Sequence, residues 1–154
     1  MLTSRVPAAV DALLEILRDR PALEDVAVVD GPSPVNTTTR RRIHIGWSPT
    51  AESAVGLQQS FNGAGARTRD EALTITGYAE ARIGDKDMKL ARDQVFALVG
   101  EIEQALRASD AEPEAPTLRG TVLWAHLTTG DLLQSVTEGS VAGVEFTVTC
   151  QARI

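Results

Sequence analysis

From Leu73 to Ile83 the chain keeps a period of two: Leu73, Ile75, Gly77, Ala79, Ala81 and Ile83 alternate with Thr74, Thr76, Tyr78, Glu80 and Arg82. Successive side chains of a strand point to opposite faces, so this pattern predicts a strand with one apolar and one polar side. Val144, Phe146, Val148, Cys150, Ala152 and Ile154 repeat the same period. Two long one-sided strands need an apolar cover, and two helical stripes supply it. Val10, Leu13, Leu14 and Leu17 keep i, i+3, i+4, i+7 spacing, and Val95, Leu98, Val99, Ile102 and Leu106 do the same. Helices covering a sheet place the chain in the α+β class.

Punctuation residues bound these elements. Pro7 suits the first turn of helix one, where its missing N–H has no partner to lose, and Pro21 marks the end of that helix. Asp87 caps helix two. "VAVVDG" reads as a short strand, and the Pro32 to Thr39 stretch as a polar loop. "RRRIHIGW" alternates, with Arg41, Ile43, Ile45 and Trp47 on one side and Arg40, Arg42 and His44 on the other. A second loop runs from Ser48 to Gly56, and "DAEPEAP" is an acidic connector. The penultimate strand carries Leu118, Val122 and Trp124 on one side. Gly63 and Gly65 look at first like a phosphate-cradling loop. Such a loop needs a helix N-terminus directly after it, whereas here a strand follows, so a bend between paired strands is expected.

The length of 154 residues suits one domain spanning 1–154. A net charge of -6 argues against a dedicated nucleic-acid binder, which draws affinity from clustered Lys and Arg. One cysteine, Cys150, excludes an intramolecular disulfide and fits a reducing compartment, and no apolar run is long enough for a membrane span or a secretory leader. Synthesis in a cytoplasm and no membrane partner are therefore expected. His44 and His126 have no metal-ligand neighbours at a suitable spacing, and Cys150 lies on an apolar strand face as a small hydrophobe. Ser4, Ser48, Ser53 and Ser60 lack a nucleophile-elbow context, and Asp85, Asp87 and Asp93 read as helix-start charges. Asn36-Thr37-Thr38 matches a glycosylation acceptor but has no secretory signal to give it meaning. No catalytic residue, metal site or cofactor is expected.

Arg40, Arg41 and Arg42 carry two readings. They are a solvated strand entrance guarding an edge, or an electrostatic contact with an acidic neighbouring subunit. Aromatic residues are only 4% of the chain, so each one matters, and Trp47 beside the triplet is either core or an interface anchor. These four are the candidate binding residues.

The order helix, short strand, strand, glycine bend, long strand, helix, strand, strand resembles that of the tail terminator proteins of long-tailed bacteriophages, of the actinobacterial phage or prophage type. "VPAAVDALLEILRDRPALEDVAVVDGP" looks like their opening helix and first strand, and "GARTRDEALTITGYAEARIGDKD" like their central strand and following turn. "ARDQVFALVGEIEQALR" is similar to their second helix and "GVEFTVTCQARI" to their last strand. The resemblance implies a mostly antiparallel sheet packed by two main helices. It also implies a non-enzymatic structural protein of the virion neck, forming a hexameric ring on the head-proximal end of the tail tube. The ring would stop tube polymerisation and dock the head connector. Implied partners are copies of itself, the major tail tube protein and head-tail connector proteins, with DNA only passing through the lumen. The alternatives are another neck or tail-completion component and, from a different class, a small ligand-binding domain or enzyme. The latter would be marked by a cleft in which His44 or His126 meets an acid.

Overall fold

A computed structural model describes residues 2–33, 39–136 and 138–154. Helix α1 (Val6–Arg18) leads to strands β1 (Ala27–Asp30), β2 (Arg41–Ile45), β3 (Val55–Phe61) and β4 (Arg69–Ile83), then to helix α2 (Met88–Ala105) and strands β5 (Trp124–Val136) and β6 (Ser140–Arg153). The spatial order is β1-β2-β4-β6-β5, and β3 pairs with the half of β4 that β2 leaves free. Among the described residues only the β1–β2 pairing is parallel, so the chain is an α+β fold with a mostly antiparallel sheet.

The register explains the alternation. Leu73, Ile75, Gly77 and Ala79 stand opposite Cys150, Val148, Phe146 and Val144, and Ile43 stands opposite Ala79, so the apolar rows of three strands share one side. This side joins Leu13, Leu14 and Leu17 of α1 and Val95, Leu98 and Ile102 of α2 in a single buried cluster. Each large aliphatic side chain taken out of water there contributes roughly 1.5–3 kcal/mol, the main force holding helices to sheet. Asp87 accepts the Leu90 N–H at 3.1 Å and starts α2 as its residue type predicts.

Two glycines admit two aromatic rings. A side chain at Gly77 would run into the Phe146 ring on the helix side, and one at Gly143 would come within 2.5 Å of Tyr78 ring atoms on the open side. Both aromatics are buried as a result. Buried Glu71 ties the start of α1 to the sheet. It accepts the Arg5 N–H at 2.7 Å and the Gln59 amide at 2.5 Å. Burial works against its charge, but those hydrogen bonds outweigh it and hold the carboxyl below its usual range.

The structure corrects several expectations. Strand β3 occupies Val55–Phe61, where the sequence reading has a loop followed by a bend; most of its side chains are exposed, so no burial period marks it. Leu118 to Leu123 is not strand. Leu118 adopts a left-handed conformation (φ 47°) after a short 3-10 turn, and β5 starts only at Trp124. Trp47 does not share a side with Ile43 and Ile45, because the chain leaves β2 through Gly46 (φ 81°) and carries Trp47 over to His44 on the opposite side. Gly63 and Gly65 do lie in a bend between two paired strands, β3 and β4. Most of the Pro32 to Thr39 loop, with the Asn36-Thr37-Thr38 pattern, lies outside the described residues.

Candidate functional site

The arginine triplet is divided by the pleat. Arg41 projects to the helix side and pairs with Asp25. Arg42 projects to the open side, donating to the Thr39 carbonyl at 3.0 Å and to Ser33 Oγ at 3.2 Å. Arg40 precedes the strand, is exposed, and lies with its guanidinium over Gly84. Neighbouring strand residues face opposite ways, so Arg41 is parted from Arg42, and Arg40, outside the strand, lies apart over Gly84. Trp47 is half-buried. Its ring lies 4.9 Å from His44 and 5.8 Å from Tyr78, an aromatic cluster that closes the open side over β2 and β4.

His44, central to this cluster, is fully engaged. Its Nδ1 is 2.9 Å from the Gly31 carbonyl and its Nε2 3.2 Å from Ser33 Oγ. Burial pushes its pKa below 6.5, and the Gly31 hydrogen bond only partly opposes that. The Tyr78 hydroxyl is pushed well above its usual value by burial and by the nearby charge of Glu80. Glu145, the next acid on this side, accepts from Ser48 at 2.9 Å and Thr50 at 2.5 Å, which fastens the loop after β2 to β6. His126 lies exposed beside Trp124 with ring centroids 4.8 Å apart. Neither histidine is hydrogen-bonded to an acid among the described residues.

The concavities are likewise built from structural contacts. A cavity of about 340 Å³ lies between the end of α1 and the acidic connector, lined by Ile16, Arg20, Pro113 and Arg119. Arg119 spans Glu15 and Asp19 there, and Arg20 pairs with Glu101. Among the described residues no group of three or more His, Cys, Asp or Glu side chains could hold a metal ion, and no helix is long and apolar enough to cross a membrane. Cys150 is buried in the sheet, and burial alone pushes its thiol up to about 12.

What the fold leaves open is its edges. Strand β5 forms one border of the sheet and is exposed along all of Thr128–Val136 that is described, with Leu132, Leu133 and Val136 among its side chains. Among the described residues no strand pairs with the outer side of β3, which exposes Leu57 and Phe61, the latter 70% accessible. The sequence reading missed both. A signal was present in the adjacent pair Leu132 and Leu133, since neighbours on a strand face opposite ways and only one of them could have been core.

A mostly antiparallel sheet thus lies under two helices, and strands β3 and β5 border it among the described residues. The chain is similar in fold to a chain in a structure described as the virion of native gene transfer agent (GTA) particle. That match has a TM-score of 0.58 at 11% identity and covers 99% of this chain and 100% of the other. No protein-family model matches the sequence, and no curated protein matches it.

Proposed function

We propose that this chain is a structural component of a phage-like virion, and within it a tail terminator: a ring of identical subunits that caps the head-proximal end of the tail tube. The observation that carries the reading is the end-to-end correspondence of its fold with a chain of the gene transfer agent virion, over 99% of this chain and 100% of the other. The sequence stretches that resemble those of tail terminators supply the finer role. A ring requires a head-to-tail contact between two different surfaces of each subunit, and two different sheet edges are open. A hexameric ring at the neck would meet the major tail tube protein on one face and head-tail connector proteins on the other. The net charge of -6 would keep DNA moving through the lumen without adhesion. Of the four candidate contact residues, Arg40 is the exposed one outside the strand, and it is assigned to an acidic neighbour. Arg41 and Arg42 are held by Asp25, Ser33 and Thr39, and Trp47 is packed on His44 and Tyr78.

The test is to add the protein to polymerising tail-tube subunits of the same virus or prophage. Shortened tubes with the protein at one end only are expected. Unaltered tube growth without end binding overturns the terminator role; stable binding to connector subunits in that case marks a different neck component.

A further inference from the structure

We propose that the β5–β6 hairpin is a docking arm that seats on the β3 edge of a second copy of this chain. This inference rests on the ring reading above and names the two surfaces that would close it. Four features of the chain support it.

The first is a pair of long edges, interrupted only by a bulge between Leu127 and Thr129 and the charge of Asp131 in β5. Exposed strands of natural proteins are usually blunted by Lys, Pro or short length, because their free N–H and C=O groups pair with any available strand. Strand β1 follows that rule, being four residues long and followed by Pro32. Strand β5 runs for 13 residues and β3 for 7, and neither contains Lys, Arg or Pro. The second is apolar exposure on both edges: Val136 is 56% accessible and Phe61 70%, with Leu132, Leu133 and Leu57 also exposed.

The third is register. Leu132 stands opposite Val144, and Leu57 opposite Leu73, both on the helix side of the sheet. Phe61 and Val136 are displaced from Leu57 and Leu132 by four residues each and so share that side. If the β5 edge of one copy lay along the β3 edge of the next, the two apolar rows would fall on the same face and meet. The fourth is charge. From Gly120 to Ala152 the sequence contains no Lys or Arg, and the arm carries Asp131, Glu138 and Glu145; the cations that reach it come from other elements, Arg92 donating to Gln134 and Arg40 and Arg82 lining a concavity with Glu138. Asp131 stands directly opposite Glu145, a cross-strand pairing of like charges that an external cation would relieve. Where β3 ends and β4 begins, Arg5, Arg67, Arg69 and Arg153, the last paired with Asp70, line an open concavity of about 690 Å³ beside Phe61. A basic, apolar seat and an acidic, apolar arm occur at different edges of one chain, which defines a head-to-tail contact rather than a two-fold one.

Complementation tests this directly. One variant carries Phe61→Glu, which breaks the seat; another carries Leu132→Glu and Val136→Glu, which breaks the arm. All three positions are exposed, and near-ultraviolet circular dichroism checks that both variants fold. Phe61→Ser and Val136→Ser replace any variant that does not fold. In sedimentation and native mass measurements the parent chain should self-associate, more weakly as salt rises. Each variant alone should lose roughly 30-fold or more in association, the size of a hot-spot loss. Mixed, the two variants should form dimers and nothing larger, because one intact arm meets one intact seat. A parent chain that stays monomeric at its highest soluble concentration overturns the contact, as does a Phe61→Glu variant that associates like the parent, or a mixture that stays monomeric. Tube capping by a chain that fails these tests would remove only the contact; head-to-tail association without capping would remove only the terminator role.

Discussion

Replacing Gly77 with alanine sets two effects against each other. Gly77 sits in the interior of β4 with no positive φ, where glycine is normally a liability. Substitution by alanine at such a site ordinarily stabilises by about 0.5–1 kcal/mol, mainly by restricting the unfolded chain. Here the added methyl would approach three carbons of the Phe146 ring, Cε1 at 2.9 Å and two others closer still. Carbon atoms settle at about 3.5–4.0 Å, so the ring would have to retreat by more than half an ångström. Phe146 is 2% exposed within the helix-covered core and has no solvent to move into. Overpacking of that kind costs about 1–3 kcal/mol, more than the backbone gain, so Gly77→Ala should destabilise.

The mechanism is isolated by a double-mutant cycle. Phe146→Ala alone should cost about 3–5 kcal/mol. In that background the obstacle is gone, and adding Gly77→Ala should be neutral or slightly stabilising, giving a coupling of about 1–3 kcal/mol. Urea denaturation read by fluorescence and circular dichroism measures all four proteins. If Gly77→Ala is harmless in the parent chain, or costs the same with and without the Phe146 ring, the close approach of β4 and β6 is not what holds that glycine in place.

Two further outcomes follow from the buried titrating groups. Because burial lowers the His44 pKa below 6.5, the unfolded chain binds its proton more readily than the folded one between those two values; stability should be fully present above pH about 6.5 and fall as pH drops toward the lower, folded value. His44→Gln should flatten that part of the stability–pH curve, and an unchanged slope would show that His44 is not its source. The Cys150 thiol, pushed up to about 12 by burial, should resist a disulfide reagent at pH 8 in the folded chain and react at once in denaturant; fast labelling of the native protein would contradict its placement in the core.

The sequence by itself determined the elements whose own side chains must be hidden. The alternation through β4 and β6 and the apolar stripes of α1 and α2 specify which faces meet, because a half-buried element records its burial in its period. The bend at Gly63 and Gly65 was legible for a similar reason: a strand pattern follows it where a phosphate loop needs a helix. Strand β3 left no such record, since its neighbour β4 supplies the hydrogen bonds while its side chains stay in solvent. Only the tertiary structure decided the side on which Trp47 lies, since one left-handed glycine reverses a reading carried along the strand. It also decided that Arg41 is held by Asp25 and Arg42 by Thr39 and Ser33, and that Leu57, Phe61, Leu132, Leu133 and Val136 lie on open borders. Whether an apolar residue at a border is core or surface depends on what the rest of the chain stacks above it, and local spacing tells which side it faces but not whether that side is covered there.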